Sequence, residues 1–229
     1  MSELSTLLFD ILPLALGAAV SPTVLVGIIL ILSIAERPKL SGIAFYMGAI
    51  IILLIVVAAG ILLGKGAAAV AAGKPPSAAS AYFDLALGIA LILFGIRRVA
   101  KKGDDTPDKT RFVGKSKSAI SDFIKYMILG LGMFTINFTT TVLVFAAGKD
   151  IGISGTGLTD QLIVIVILTV ITLLVVEIPL LIYFTMPERS EKILEPLNRW
   201  MQKNSRYLMA AIIFVFGIYL IVKGIGVLF

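Results

Sequence analysis

One acidic side chain lies deep inside an apolar stretch of this chain, where it could carry a proton. Glu177 stands about seven residues, or roughly 10 Å, from the nearer end of the hydrophobic run 162–185. A carboxylate held there should face the interior of a helix bundle and either find a partner or bind a proton. Pro179 lacks an N–H and clashes with the Val175 carbonyl, so we expect a helix break beside the carboxylate. The alternative is that Glu177 anchors two helices as a purely structural hydrogen-bonding group.

Two groups of polar residues interrupt other apolar runs and could together bind a solute. They are Ser21, Pro22 and Thr23 in the run 12–34, and Asn137, Thr139, Thr140 and Thr141 in the run 125–147. Pro22 should free the Ala18 carbonyl and bend its helix. Paired polar breaks at corresponding positions point to a site near the membrane midplane. Taken singly, each hydroxyl is more simply explained by a bond to its own helix or to a neighbouring one.

Six apolar runs must position these residues. The chain is 59% hydrophobic, and each run is long enough to cross about 30 Å of hydrocarbon as a helix. The runs are 12–34, 42–63, 81–97, 125–147, 162–185 and 207–226. The sequence therefore predicts an all-α protein that crosses a membrane six times.

Short repeated words predict that the six spans form two copies of one unit. Residues 21–26 recur as 139–144, and Gly88-Ile89-x-Leu91-Ile92-x-x-Gly95-Ile96 recurs between Gly217 and Ile225. The predicted units are residues 1–97 and 125–229, joined by a basic linker at 98–124. The loops after the first, third and fifth runs hold 16 of the 20 basic residues, which places these loops in the cytoplasm and both termini outside. Three spans per unit then make the units inverted repeats, a recurrent transporter plan.

Two further features belong to the predicted membrane surfaces. Residues 187–204 are interpreted as an amphipathic helix on the cytoplasmic surface, because apolar residues recur there at helical spacing between charged ones. Asp84 lies near the outer end of the third run, so we interpret it as a hydrated interfacial carboxylate, with a second proton carrier as the alternative. The glycines of the apolar runs should allow close helix packing, which also permits a homodimer.

Absent residue types exclude several functions. The 229 residues include no cysteine and no histidine, which excludes thiol electron transfer, disulfides, thiolate metal sites and imidazole ligands. We expect no metal and no cofactor. No phosphate-binding loop or nucleophile triad is present, so we expect no enzyme. Membrane topology accounts for the net charge of +6, so nucleic acid is not an expected partner, although the linker 98–124 could contact anionic headgroups.

Several short motifs resemble the lysine exporter (LysE) superfamily, and within it the GAP branch of peptidoglycolipid-addressing proteins. They are Ala19-Val20-Ser21-Pro22, Glu36-Arg37-Pro38-Lys39, Gly42-x-Ala44-Phe45-x-x-Gly48, Glu177-Ile178-Pro179, and the stretch from Arg199-Trp200 to Asn204-x-Arg206. The resemblance implies a six-helix prokaryotic inner-membrane protein related to exporters of small solutes. Amino-acid exporters of the superfamily carry Asn-Pro in the fourth helix, whereas this chain has Asn137-Phe138. That departure disfavours amino-acid export, and the GAP resemblance implies an envelope glycolipid instead.

Two hypotheses of different classes follow. In the first, the protein is a proton-coupled exporter of a small solute or envelope lipid that works by alternating access, with the solute bound at the paired breaks and Glu177 carrying the proton. In the second, it is a non-transporting membrane scaffold for the assembly or delivery of envelope lipids. The scaffold would use the linker and the helix 187–204, and it would tolerate Glu177→Gln.

Overall fold

A computed structural model describes residues 3–71, 78–100 and 118–228, and all regular structure in these ranges is helical. Apolar chains form helices in lipid because every backbone N–H and C=O must find a partner within the segment. The helices are α1 (Glu3–Ala19), α2 (Pro22–Ile34), α3 (Pro38–Ala71), α4 (Ala78–Ala100), α5 (Ala119–Ile136), α6 (Phe138–Ile153), α7 (Leu158–Thr185) and α8 (Pro187–Leu228).

The predicted number of spans agrees with these helices. Within the described residues, five helices are long and apolar enough to cross a membrane, and α1 with α2 makes a sixth span if the pair is taken as one bent unit. The bend between α1 and α2 is 54°. Pro22 occupies the first turn of α2, where a missing N–H costs nothing, and Ser21 caps that helix. The predicted bend at Pro22 is therefore confirmed.

The fourth predicted span is also interrupted, although it has no proline at the break. Helix α5 ends at Ile136 and α6 begins at Phe138, with Asn137 between them. Helix α5 begins at Ala119, inside the range predicted as linker. Residues 101–117 of that linker lie outside the described residues, so its contact with headgroups stays a prediction.

The helices of residues 3–100 pack mainly on those of residues 119–228. Helix α4 lies along α8, α3 lies against both α5 and α6, and α1 lies against α6 and α7. Glycines permit a close approach of α4 to α8, since a Cβ added at Gly88 would lie 2.7 Å from the Gly217 carbonyl oxygen, and one added at Gly224 would lie 2.8 Å from that of Ala81. Gly88 and Gly217 of the repeated words thus face each other across the α4–α8 contact, while Gly95 and Gly224 lie against Ile213 and Ala81, in agreement with the expected close packing.

Two predicted features differ from the structure. Helix α7 continues through Pro179, so the predicted helix break there is wrong. A proline removes only one backbone bond, and α7 packs against α1, α2 and α3, which is the setting in which membrane helices tolerate proline. Residues 187–204 are helical, but they form the first part of the 42-residue α8 rather than a separate helix. Leu194 and Met201 are buried there, while Ile193, Leu197 and Trp200 are exposed.

Candidate functional site

The two interrupted spans meet at their breaks. The Asn137 Nδ2 amide donates a hydrogen bond to Ser21 Oγ over 2.6 Å. Ser21 is buried, and its Oγ also accepts a 3.4 Å bond from the Val24 N–H as the cap of α2. Helices α1 and α2 have 17 and 13 residues, and α5 and α6 have 18 and 16, so each break lies near the middle of its span. The structure therefore brings Ser21 and Asn137 together near the predicted midplane.

Threonine hydroxyls donate hydrogen bonds to backbone carbonyls beside the two breaks. Thr140 Oγ1 donates to the Ala18 carbonyl over 3.0 Å, which is the acceptor that Pro22 cannot bond. Thr141 Oγ1 donates over 3.0 Å to the Phe134 carbonyl, which precedes the second break. The broken backbone is thus held by side chains, and the Thr140 bond crosses from one predicted unit to the other.

The remaining polar residues of the breaks have different positions. Thr139 is 2% exposed, and its Oγ1 makes no hydrogen bond to the described residues. Thr23 is half-buried in the first turn of α2. Ser21 and Asn137 occupy equivalent positions, because each immediately precedes the helix that follows its break. The repeated words instead align Ser21 with Thr139. The signal that could have corrected the register is Asn137 itself, since asparagine is a favoured residue before the first turn of a helix.

Glu177 has a partner that the sequence did not reveal. The Tyr46 hydroxyl donates to Glu177 Oε1 over 2.7 Å, and both residues are half-buried. Tyr46 lies on α3 and Glu177 on α7, so this bond also joins the two predicted units. It lies eight residues, or roughly 12 Å, from the end of the bundle where α3 begins and α7 ends. Glu177 bonds Tyr46 rather than any residue of the helix breaks.

Asp84 is not the hydrated carboxylate that we predicted. Asp84 is 2% exposed, and its Oδ1 accepts a 2.5 Å hydrogen bond from Lys149 Nζ. The same Lys149 Nζ donates to Ser80 Oγ over 3.2 Å. The correction has a physical cause: α6 continues past the apolar run and places the Lys149 ammonium inside the bundle, where a buried charge requires an opposite one.

A second pair extends this ion cluster. Lys223 Nζ of α8 lies 2.5 Å from Asp150 Oδ2, and Asp150 Oδ1 lies 3.4 Å from Lys149 Nζ. Lys149 and Lys223 are two of the four basic residues that lie outside the loops after the first, third and fifth runs. The cluster adjoins a cavity of about 420 Å³ at the end of the bundle where α1 begins and α8 ends.

A second cavity lies at the opposite end of the bundle. It has a volume of about 460 Å³ and is lined by α2, the end of α7 and the first turns of α8, including Tyr183, Glu188 and Glu191. Each end of the bundle thus has a polar cavity, and the paired helix breaks lie between the two ends. No group of side chains suited to a metal ion occurs among the described residues.

Comparison with known proteins gave one family and one relative. A family model described as Sap, sulfolipid-1-addressing protein, matches residues 11–226. The peptidoglycolipid exporter Gap of Mycolicibacterium smegmatis is 31% identical over 86 residues, which are 38% of this chain and 32% of Gap. The chain thus spans about a third of the length of that relative. No solved structure matches. The predicted likeness to the peptidoglycolipid-addressing branch is confirmed, while the wider lysine exporter superfamily stays a prediction.

Proposed function

Because the chain belongs to the Sap, sulfolipid-1-addressing protein family, we propose that this multi-pass membrane protein exports an envelope lipid. Its partial relative, the peptidoglycolipid exporter Gap, supports a lipid over an amino acid as the substrate. We place the protein in the inner membrane of a prokaryote, with both termini outside, as the distribution of basic residues predicts. No enzymatic step is part of this proposal.

The observation that carries the proposal is the contact between the two helix breaks. Interrupted helices that meet near the middle of a bundle are the recurrent substrate site of transporters built from repeated units. The Asn137–Ser21 bond and the Thr140–Ala18 bond join the breaks, and the buried Thr139 hydroxyl has no partner among the described residues. A polar group of the substrate can replace such bonds as it passes between the two units.

The pattern of helix packing supports inverted repeats and alternating access. Helix α3 packs on the broken span α5–α6, and α7 packs on the broken span α1–α2, while α4 and α8 pack on each other. If α1–α4 exchange places with α5–α8, each of these contacts becomes a contact of the same set. Motion of one unit against the other would then open first one end of the bundle and then the other, with the breaks as the shared site.

Glu177 is the proposed proton carrier. Its carboxylate is half-buried within a span and accepts the Tyr46 hydroxyl, so proton uptake would change a bond that links the two units. A carboxylate accepts two or more hydrogen bonds, whereas a carboxylic acid must also donate one. Protonation of Glu177 is therefore a local change that can bias the arrangement of α3 against α7.

A transport assay tests the proposal. Purified protein is reconstituted into vesicles that carry a fluorescent glycosyl diacylglycerol, a pH gradient is imposed, and an impermeant quencher reports movement between leaflets. We expect gradient-dependent movement with the natural chain and none with Glu177→Gln. The matched control is Glu36→Gln, because Glu36 is exposed between α2 and α3. Movement that persists unchanged in Glu177→Gln would refute the proton-carrying role, and its absence from folded natural protein would refute export of this lipid.

One observation favours the scaffold as a second candidate. Ile193, Leu197 and Trp200 form an exposed apolar stripe on the first part of α8, at spacings of four and three residues. Such a stripe could rest on a membrane surface or on another protein. A scaffold predicts that Glu177→Gln is tolerated, while charge reversal of the basic residues in 97–117 abolishes partner or lipid binding. The same reconstituted variants therefore separate the two functions.

A further inference from the structure

The cavity at the end of the bundle where α1 begins is lined by an unusual set of charges. Four carboxylates, those of Glu3, Asp10, Asp84 and Asp150, and two ammonium groups, those of Lys149 and Lys223, face it. With all six groups ionised, the cavity has a net charge of −2. A volume of about 420 Å³ lies within the range of small-ligand sites, roughly 300–1,000 Å³.

Part of the wall is held rigidly in place. Lys149 is 1% exposed, and its ammonium group lies within 3.4 Å of Asp84, Ser80 and Asp150. Lys223 pairs with Asp150 at 2.5 Å from the other side. Because these groups are already ordered, a ligand that bonds them loses little affinity to rearrangement of the wall.

The charge balance selects the ligand chemistry. Carboxylates in excess repel sulfate and phosphate groups, but they accept hydrogen bonds from hydroxyl groups strongly. The Lys223 ammonium and the hydroxyls of Ser80 and Thr6 add donors for hydroxyl oxygens, whereas the Lys149 ammonium is already engaged with Asp84, Ser80 and Asp150. An uncharged molecule with several adjacent hydroxyl groups fits this mixture of acceptors and donors better than an anion does.

Helix α1 continues the cavity into an apolar surface. Thr6 and Asp10 line the cavity, while Phe9 and Leu16 are 68% and 56% exposed on the same helix. Phe9 and Leu16 are seven residues apart and therefore form one stripe of α1. A molecule lying along α1 would meet polar groups at one end and apolar side chains at the other, which suits an amphiphile.

We propose that this cavity binds the uncharged, polyhydroxylated headgroup of a lipid, with the acyl chains along Phe9 and Leu16. The inference rests on the proposed export of an envelope lipid and specifies where the headgroup is bound at the outer end. The family is named for a sulfolipid, whereas the excess of carboxylates in this cavity would repel a sulfated headgroup. We therefore expect this chain to bind a lipid with an uncharged headgroup.

Lipid retention in nanodiscs tests the site. Discs of phosphatidylcholine contain equal amounts of a monoglucosyl diacylglycerol and phosphatidylglycerol with the same acyl chains, and native mass spectrometry counts the lipids that remain bound. We expect the natural chain to retain the glucosyl lipid in preference to phosphatidylglycerol. The double variant Thr6→Val and Asp10→Asn should lower this preference about tenfold, the scale of one lost hydrogen bond to a charged group. Both residues are exposed, so these substitutions spare the buried ion cluster.

Glu36→Gln is the control, and it should keep the full preference. Equal retention of both lipids, preference for phosphatidylglycerol, or an unchanged double variant would overturn the site. Displacement by free glucose as effective as displacement by a short-chain glucosyl lipid would overturn the role of Phe9 and Leu16. Preference without export would support the site and refute the exporter, whereas export without preference would overturn the site and leave the exporter standing.

Discussion

Removing one member of the Asp84–Lys149 pair should destabilise the bundle strongly, while removing both should not. Lys149 is 1% exposed, and Asp84→Asn leaves its ammonium group with Ser80 and the more distant Asp150 as polar neighbours. Lys149→Met leaves the Asp84 carboxylate with no other ion pair among the described residues. A buried charge without its partner keeps the full cost of leaving water.

The structure indicates the size and order of these effects. Loss of one partner of a buried pair costs about 3–5 kcal/mol. Asp150 lies 3.4 Å from Lys149 and offsets part of the lost attraction, so we expect about 3 kcal/mol for Asp84→Asn, near the lower limit of that range. Lys149→Met should cost about 4 kcal/mol or more, because the other cation of the cluster, Lys223, is paired with Asp150 and makes no described ion pair with Asp84. The double variant should lie within about 1 kcal/mol of the natural chain, since no unpaired charge remains.

Reversible unfolding in mixed micelles measures these differences. The mole fraction of a denaturing detergent is raised stepwise, and helix content follows the unfolding equilibrium. A loss of 3 kcal/mol corresponds to a decrease of about a hundredfold in the folding equilibrium constant, from the relation of 1.4 kcal/mol per factor of ten. Lys65→Met is the control, because Lys65 is an exposed lysine on α3. It should change the free energy of unfolding by less than about 0.5 kcal/mol.

Two results would contradict this reasoning. If each single variant lost less than about 1 kcal/mol, the pair would behave like an exposed surface ion pair, and burial would not determine its energy. If the double variant lost the sum of the two single losses, the two charges would not interact, because independent sites are additive.

Three other predictions concern packing and the helix breaks. Gly217→Leu should lower the free energy of unfolding by more than 1 kcal/mol, because an added Cβ would lie 2.7 Å from Ile92 Cγ1 in the α4–α8 contact. Gly226→Leu is the control, because Gly226 lies in open space and the substitution should leave the free energy of unfolding unchanged. Unfolding in detergent compares the two variants. Pro22→Ala restores an N–H to the break, so we expect a straighter span, higher stability and slower lipid movement in vesicles. Ser21→Cys with Asn137→Cys should cross-link under oxidation and stop lipid movement until reductant is added, and movement in a fully cross-linked sample would rule out separation of the breaks.

Local chemistry explains why several features could be predicted. The number of spans follows from the length of the apolar runs, because each must match the thickness of the bilayer. The bend at Pro22 follows from a missing N–H, and the close α4–α8 contact follows from glycines seven residues apart. At Pro179 the same local argument was wrong, since α7, which packs against α1, α2 and α3, continues through that residue.

The sequence by itself determined the class of the protein, its apolar spans and the bend at Pro22, because these depend on hydrophobicity and backbone chemistry within one segment. Only the tertiary structure decided which polar groups meet: Ser21 bonds Asn137, Tyr46 bonds Glu177, and Asp84 pairs with Lys149. The partners are separated by 116, 131 and 65 residues. No local rule relates such distant positions, and the cost of a buried charge requires a partner without saying where in the chain that partner lies.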